Sequence, residues 1–170
     1  MPICKMNLKT VRILGIDPGS LTTGYGVIEK KRNDLACLSH GEIKTMVRET
    51  SSAFLVNIYE RLMAVIEENK PDVMAVEEVF YGKNVKSLIK QGQARGVAIL
   101  AGAHSGLPVF EYSPLEVKKA VVGYGRAEKS QVQSMVKAIL QLRETPRADA
   151  ADALAVAICH AHCSGPAVSP

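Results

Sequence analysis

The sequence predicts one α/β domain with a mixed five-stranded sheet and helices on both of its faces. Three observations lead to this prediction. The first part of the chain holds three apolar runs joined by brief turn segments, and the rest alternates helical and strand periodicity. Short connections favour an antiparallel meander, whereas alternating helices and strands favour a sheet covered by helices. A length of 170 residues is most economically a single domain.

The strands are predicted from continuous or alternating apolar runs bounded by turn residues. VRILGID begins at Val11 and is closed by Pro18 and Gly19, which indicates a buried strand that meets a turn. The second and third strands are predicted in TGYGVIEKK and DLACLSHGEIKT. The fourth and fifth are predicted in DVMAVEEVF and LPVFEYS, each flanked by helical or polar sequence.

Four segments have helical periodicity, at 51–69, 85–104, about 128–142 and about 148–163. In the first, apolar residues fall on one stripe and Pro71 follows its end. The second is rich in glycine and alanine, which would let another helix approach closely, and we expect it to form part of a dimer interface. Lys118 and Lys119 are assigned to a charged turn before the third of these helices.

Residues 1–10 are expected to form a flexible leader and residues 164–170 a disordered tail, so the domain spans 11–163. The four cysteines lack the paired spacing of a secreted scaffold, which indicates a reducing compartment. No segment approaches the ~20 apolar residues that cross a bilayer. We therefore expect a soluble, cytoplasmic protein that does not bind membranes.

Basic residues are concentrated in two parts of the chain. The formal net charge is only +4, from 21 Lys and Arg against 17 Asp and Glu. Segment 82–110 nevertheless has four basic residues and no acidic one, and segment 118–147 has seven basic and two acidic residues. Clusters of this kind suit a polyanion such as nucleic acid, although solvated helix faces have a similar composition.

Acidic residues end two of the predicted strands. Asp17 follows a buried apolar run, where a carboxylate is costly unless it is paired, hydrogen-bonded or metal-bound. The alternative is an Asp that starts a turn, since Asp-Pro-Gly is ordinary turn sequence. Glu77 and Glu78 end the fourth strand on opposite faces, and either of them could lie in solvent beyond the sheet.

Two further aspartates, Asp149 and Asp152, begin the last helix. An N-cap at Asp149 and a dipole-stabilised Asp152 would explain both without a function. Residues three apart on a helix are also neighbours, so the two carboxylates can converge on one point. Clustered carboxylates repel one another unless cations are bound, and carboxylates suit Mg²⁺ or Mn²⁺. Two such ions could activate a water and stabilise the leaving oxygen in phosphodiester hydrolysis.

The segments that carry these acidic residues closely resemble the RuvC family of bacterial Holliday-junction resolvases. The resemblance extends from Val11 to His162 through GIDPGSLTTGYGVI, AVEEVFYGKNVKSLIKQGQARGVAILA, FEYSPLEVKKAVVGYGRAEKSQVQSMV and ADAADALAVAICHAH. It implies a ribonuclease-H-like fold and a homodimer. It also implies four catalytic carboxylates that bind metal, at Asp17, Glu77, Asp149 and Asp152. Glu78 is then only a neighbour of the site.

The same resemblance implies a set of DNA-binding residues. Lys118 and Lys129 match family lysines close to the scissile phosphate, and Phe80 matches an aromatic residue that contacts a base. Lys129 lies in the first turn of a predicted helix, where the dipole disfavours a cation but a bound phosphate would reverse that effect. We add the basic residues of segment 82–110 as further DNA contacts, namely Lys83, Lys86 and Arg95. Solvated lysines and a core phenylalanine are the alternatives.

The resemblance implies a structure-specific endonuclease that acts in homologous recombination and DNA repair. It would nick two strands of like polarity symmetrically and leave 5′-phosphate and 3′-hydroxyl ends. Its cofactor would be Mg²⁺, with Mn²⁺ as a substitute and two ions per active site. Its partners would be four-way junction DNA, a second copy of the chain, and the RuvA and RuvB branch-migration proteins.

Other functions fit the sequence less well. GIDPGSLTTGYG also resembles the first phosphate loop of actin-like ATPases and sugar kinases, but the chain has no second such loop. A noncatalytic junction-binding module is disfavoured because none of the four expected carboxylates is missing, and YqgF-type nucleases fit less well than RuvC. A zinc site on the last helix is also disfavoured, because the side chains that would form it do not share one helical face, namely Cys159, His160, His162 and Cys163.

Overall fold

The computed structural model describes residues 10–45, 50–79 and 84–164. These residues form one five-stranded sheet in the order β3-β2-β1-β4-β5. Its strands are β1 Val11–Asp17, β2 Thr22–Lys31, β3 Asp34–Lys44, β4 Val73–Glu77 and β5 Val109–Tyr112. The first three strands pair antiparallel, whereas β4 pairs parallel with both β1 and β5. The predicted mixed sheet is confirmed.

Five helices surround this sheet in the described residues. They are α1 Ser51–Asn69, α2 Val85–His104, α3 Pro114–Val122, α4 Lys129–Ile139 and α5 Ala148–Cys163. The predicted bounds of α1, α2 and α5 are correct. The Thr50 side chain caps α1 and the Asn84 side chain caps α2, each by accepting backbone N–H bonds from the first turn.

The prediction of a charged turn at Lys118 and Lys119 is wrong, because both residues lie in α3. Pro114 is compatible with the first turn of this helix, where its missing N–H costs nothing. Ser113 and Glu116 form a capping box in which each side chain accepts a hydrogen bond from the other residue's backbone N–H. Such a cap can start a helix that is too short to show clear periodicity.

Two other predicted elements end earlier than expected. The fourth strand ends at Glu77, although the Glu78 N–H still donates to the Tyr112 carbonyl oxygen. Helix α4 ends at Ile139, and Gln141 just beyond it has a positive φ of 50°. Of the predicted leader and tail, 1–9 and 165–170 lie outside the described residues.

The sheet is covered on both faces. Helices α1 and α2 pack on the face that bears Leu14 and Met74, and α5 packs on the other face with α3 and α4 outside it. Helix α5 is buried from Ala153 to Ala161 because it lies between the sheet and these two helices. Within the described residues, no helix is both long and apolar enough to span a membrane.

Candidate active site

Two parallel strands bring Asp17 and Glu77 together. Ile16 of β1 pairs with Val76 of β4, so the last residues of these strands are neighbours at the carboxyl edge of the sheet. The two carboxyl groups are close enough that the charge of Asp17 raises the pKa of Glu77. Glu77 lies in the cleft at this edge, whereas Glu78 is exposed. Strand alternation separates the two glutamates as expected.

Helix α5 supplies the other two carboxylates. It begins at Ala148 after the N-cap residue Arg147, so Asp149 lies in the first turn and Asp152 lies three residues later. The alternative that Asp149 is the N-cap is therefore wrong. Carboxylate oxygens of Asp17, Asp149 and Asp152 all lie within 4.8 Å of one another. The i, i+3 spacing converges as predicted.

The four carboxylates share one cleft of about 560 Å³. Its wall includes the loop from Pro18 to Leu21, Thr22 at the start of β2, and Gln91 of α2. Lys118 of α3 and Lys129 of α4 line it as well. Cationic side chains thus face an acidic floor, an arrangement that can hold both metal ions and a phosphate group.

The carboxylates are difficult to ionise together. Burial, followed by the charge of Asp152, raises the pKa of Asp17 to about 6. Burial, followed by the charge of Asp17, raises the pKa of Glu77 to about 9. Burial and then the charge of Glu42 raise the pKa of Asp149. Without a metal, protonation of one carboxylate relieves this repulsion. A bound divalent cation would relieve it more completely.

Lys129 already partners one of these groups. Its Nζ lies 3.1 Å from Asp152 Oδ2, and its side chain is 71% exposed. The charge of Asp152 is the largest cause that raises the pKa of Lys129. An exposed ammonium in this position can contact an incoming phosphate without leaving the cleft.

Comparison with known proteins shows to which protein family the chain belongs. Residues 13–160 match the family model described as crossover junction endodeoxyribonuclease RuvC. The chain belongs to the RuvC family. It is therefore an endodeoxyribonuclease that resolves Holliday junctions, and RuvC enzymes are metal-dependent nucleases.

Individual RuvC proteins are similar over almost the whole chain. The protein from Geobacter sulfurreducens is 57% identical over 152 residues, which is 89% of this chain and 93% of that one. The protein from Geobacter metallireducens is 55% identical, with 91% and 94% covered. The solved structure of T. thermophilus RuvC in complex with a Holliday junction substrate aligns with a TM-score of 0.83 at 37% identity, covering 89% and 93%.

A more distant structure shows how far the fold extends. The yeast mitochondrial Holliday junction resolvase Ydc2 aligns with a TM-score of 0.64 at 14% identity, covering 88% of this chain and 77% of that one. At this identity the likeness shows only a shared fold. The chain therefore has the ribonuclease-H-like α/β fold that the resemblance to RuvC implied.

The remaining predicted DNA-binding residues lie in different surroundings. Lys86 is exposed in the first turn of α2. Arg95 lies farther along α2 and forms a salt bridge with Glu111 of β5. Phe80 and Lys83 lie outside the described residues. The described members of this set are thus divided between the cleft, which contains Lys118 and Lys129, and helix α2, which carries Lys86 and Arg95.

Sequence reasoning missed two polar residues at this RuvC site. Gln91 lines the cleft from α2. Glu42 of β3 lies close enough to Asp149 to affect its pKa, and its side chain is only 11% exposed. In the sequence, Glu42 is an acidic residue that precedes the apolar Ile43 near the end of a predicted strand. This pattern does not show that the strand lies beside α5.

The cysteines and histidines in the last turns of α5 differ in burial and in their contacts. Cys159 is buried, Cys163 is exposed, and His160 Nδ1 is 2.7 Å from the Tyr112 hydroxyl oxygen. Within the described residues, the group of side chains close enough together to hold a metal ion is the acidic cluster of Asp17, Asp149 and Asp152.

Proposed function

We propose that Asp17, Glu77, Asp149 and Asp152 are the catalytic carboxylates of this resolvase and hold two Mg²⁺ ions, for which Mn²⁺ can substitute. The observation that supports this most directly is that carboxylate oxygens of the three aspartates lie within 4.8 Å of one another, and that Glu77 lines the same cleft. Hard oxygen donors in this number suit Mg²⁺ and Mn²⁺. Their raised pKa values fit a site that needs added positive charge.

The bound ions would supply an activated water and stabilise the leaving oxygen of the scissile phosphodiester. Asp17 and Glu77 hold the buried end of the site, because both end strands of the sheet. Asp149 and Asp152 hold the helical end. Lys129 and Lys118 neutralise the phosphate that enters between them, since both line the cleft. Hydrolysis leaves 5′-phosphate and 3′-hydroxyl ends.

The substrate is a four-way junction, and its two-fold symmetry calls for two such sites. We propose a homodimer that nicks two strands of like polarity symmetrically. Helix α2 supports this proposal, because one of its faces carries an exposed stripe of apolar and small residues. There is open space around the glycines of this stripe, which consists of Val85, Ile89, Gly92, Gly96 and Leu100. An apolar stripe with close-approach positions suits another copy of the same helix.

Residues near α2 would bind the arms of the junction. We propose that Lys83, Lys86 and Arg95 contact phosphates, and that Phe80 stacks on an unpaired base. By resemblance to RuvC, the enzyme works with RuvA and RuvB in homologous recombination and DNA repair. We expect this to occur in the cytoplasm, since the substrate is chromosomal DNA.

The test is cleavage of a synthetic four-way junction in Mg²⁺, beside a linear duplex of the same sequence. We expect paired nicks on the junction alone. Asp17→Asn should abolish cleavage while junction binding persists, because it removes a ligand and leaves the DNA-binding surface intact. Unchanged cleavage by Asp17→Asn would reject the metal site, and equal cutting of the duplex would reject junction specificity.

A further inference from the structure

Two exposed cations near the cleft share one carboxylate. Glu42 Oε2 lies 3.5 Å from Arg147 Nη1 and 3.9 Å from Lys44 Nζ. The Arg147 and Lys44 side chains are 74% and 63% exposed, whereas the Glu42 side chain is 11% exposed. Exposed ion pairs contribute little to stability. A nearly buried carboxylate that orients two exposed cations therefore suggests a role in binding something anionic.

The sheet register fixes Glu42 beside the catalytic carboxylates. Asp17 pairs with Gly24 of β2, and Gly24 pairs with Glu42 of β3. Directly paired residues point to the same face of a sheet. The backbone of Asp149 lies over Gly24, in the space that a side chain there would occupy. Asp17 and Glu42 consequently flank Asp149 on opposite sides.

The backbones that carry the two cations are also held at the cleft. Lys44 pairs with Thr22, which lines the cleft, and the Thr45 N–H donates to the Leu21 carbonyl oxygen at 2.9 Å. Arg147 directly precedes α5 as its N-cap residue. Both cations approach from the β3 edge of the sheet. Lys118, in contrast, lies on the helix that follows β5, at the opposite edge.

We propose that Arg147 and Lys44 form a second phosphate-binding arm, which contacts the cleaved strand on the β3 side of the scissile phosphate. Glu42 touches no DNA and is a positioning residue that holds this arm. A DNA strand that crosses four carboxylates is repelled by them, and cations on both sides of the cluster offset that repulsion. The guanidinium of Arg147 can bind one phosphate through two N–H groups. The inference rests on the proposed function, because it needs the strand to cross this cluster.

The first experiment measures junction affinity against salt concentration for Arg147→Gln and Lys44→Gln. The control is Lys31→Gln, the same change at the opposite end of the sheet, where β2 ends. We expect each arm variant to raise Kd and KM roughly five- to tenfold, with kcat nearly unchanged at saturating junction. Each should lower the salt slope of log K by about 0.9, the value for one lost phosphate contact. The control should match wild type, and arm variants that also match it would overturn the proposal.

The second experiment tests Glu42 through a double-mutant cycle. As a single substitution, Glu42→Gln should weaken junction binding. In a protein that already carries Arg147→Gln and Lys44→Gln, it should weaken binding little further. If Glu42 only repelled DNA, its removal would tighten binding. If it only supported the metal site, its removal would raise the Mg²⁺ concentration needed for half-maximal cleavage without changing Kd. Either result would overturn the positioning role.

These outcomes separate the arm from the catalytic site. Cleavage that survives Asp17→Asn contradicts the proposed metal site, whatever the arm variants do. Wild-type binding by the arm variants, together with an inactive Asp17→Asn, contradicts the arm alone. Melting temperatures of all variants should stay close to wild type, because the cationic side chains are exposed and Glu42→Gln keeps the shape of the side chain.

Discussion

The backbone of Asp149 packs directly on Gly24, so closely that a methyl group at position 24 would overlap the Asp149 carbonyl oxygen. Gly24 is the β2 partner of Asp17. The absence of a side chain at Gly24 therefore helps the first turn of α5 to reach the end of β1. This contact brings the carboxylates of strand and helix into a single site.

Gly24→Ala should destabilise the protein and abolish most cleavage. The overlapping atoms belong to backbone and cannot rotate away, so α5 must move, and overpacking of this kind costs about 1 to 3 kcal/mol. Thermal unfolding and junction cleavage check this. Lys31→Ala is the control, because Lys31 is exposed at the far end of the same strand and should keep the wild-type melting temperature and cleavage. An active, equally stable Gly24→Ala variant would contradict the role of this contact.

Glu77→Gln and Glu78→Gln should behave differently although they are adjacent. At a free Mg²⁺ concentration of about 100 times its Kd, metal binding should stabilise the wild type by about 2.7 kcal/mol. Glu77→Gln should lose most of this gain and its cleavage activity, because Glu77 lines the cleft and Glu78 is exposed. Because the pKa of Glu77 is raised to about 9, the wild type must take up a proton to fold at neutral pH without metal, so Glu77→Gln should raise the metal-free stability. Urea unfolding with Mg²⁺ or with a chelator measures both effects, and equal losses in the two variants would reject the assignment of Glu77.

Lys129→Ala should slow cleavage by roughly a hundredfold, with a smaller effect on binding. The Lys129 Nζ lies 3.1 Å from Asp152 Oδ2, where it can stabilise charge that develops on the phosphate. Lys137→Ala is the matched control, since Lys137 is in the last turn of the same helix and does not line the cleft. Single-turnover rates on a junction distinguish the two, and similar rates for both variants would contradict a role for Lys129 in the reaction.

Ile89→Glu should convert the proposed homodimer to a monomer and weaken symmetric junction cleavage. Ile89 lies in the middle of the exposed α2 stripe, and a charge buried between two helices without a partner is strongly unfavourable. Val56→Glu is the control, because Val56 is an exposed apolar residue on α1. Light scattering gives the mass of each variant. If Ile89→Glu remained dimeric, the interface would have to lie elsewhere.

His160 should make folding stability fall in mild acid. Burial, and then the charge of Lys30, lowers its pKa below 6.5, so the unfolded chain binds the proton more readily. The stability that depends on neutral His160 is present above pH 6.5 and is lost as the pH falls towards the lowered pKa. Urea unfolding between about pH 5 and 7.5 should show a shallower pH dependence for His160→Gln. His40→Gln removes an exposed histidine and should keep the wild-type slope; identical slopes in all three proteins would contradict the prediction.

The sequence determined the local elements and the chemistry available to them. Apolar runs and helical stripes gave the five strands and the bounds of α1, α2 and α5, because hydrophobic periodicity is a local property. The i, i+3 spacing brought Asp149 and Asp152 to one helical face. The short helix α3 was missed, because nine residues show little periodicity and only its capping box reveals it.

Tertiary structure decided which of these residues meet. Alternation put Glu77 and Glu78 on opposite faces, but the sequence alone could not say which side of the strand end would become the cleft; only the resemblance to RuvC favoured Glu77. The position of Glu42 beside Asp149 depends on β3 pairing with β2 and on α5 packing over Gly24. Such contacts join residues that are about a hundred positions apart, and their geometry comes from the packing of sheet and helix, which no local pattern of residues encodes.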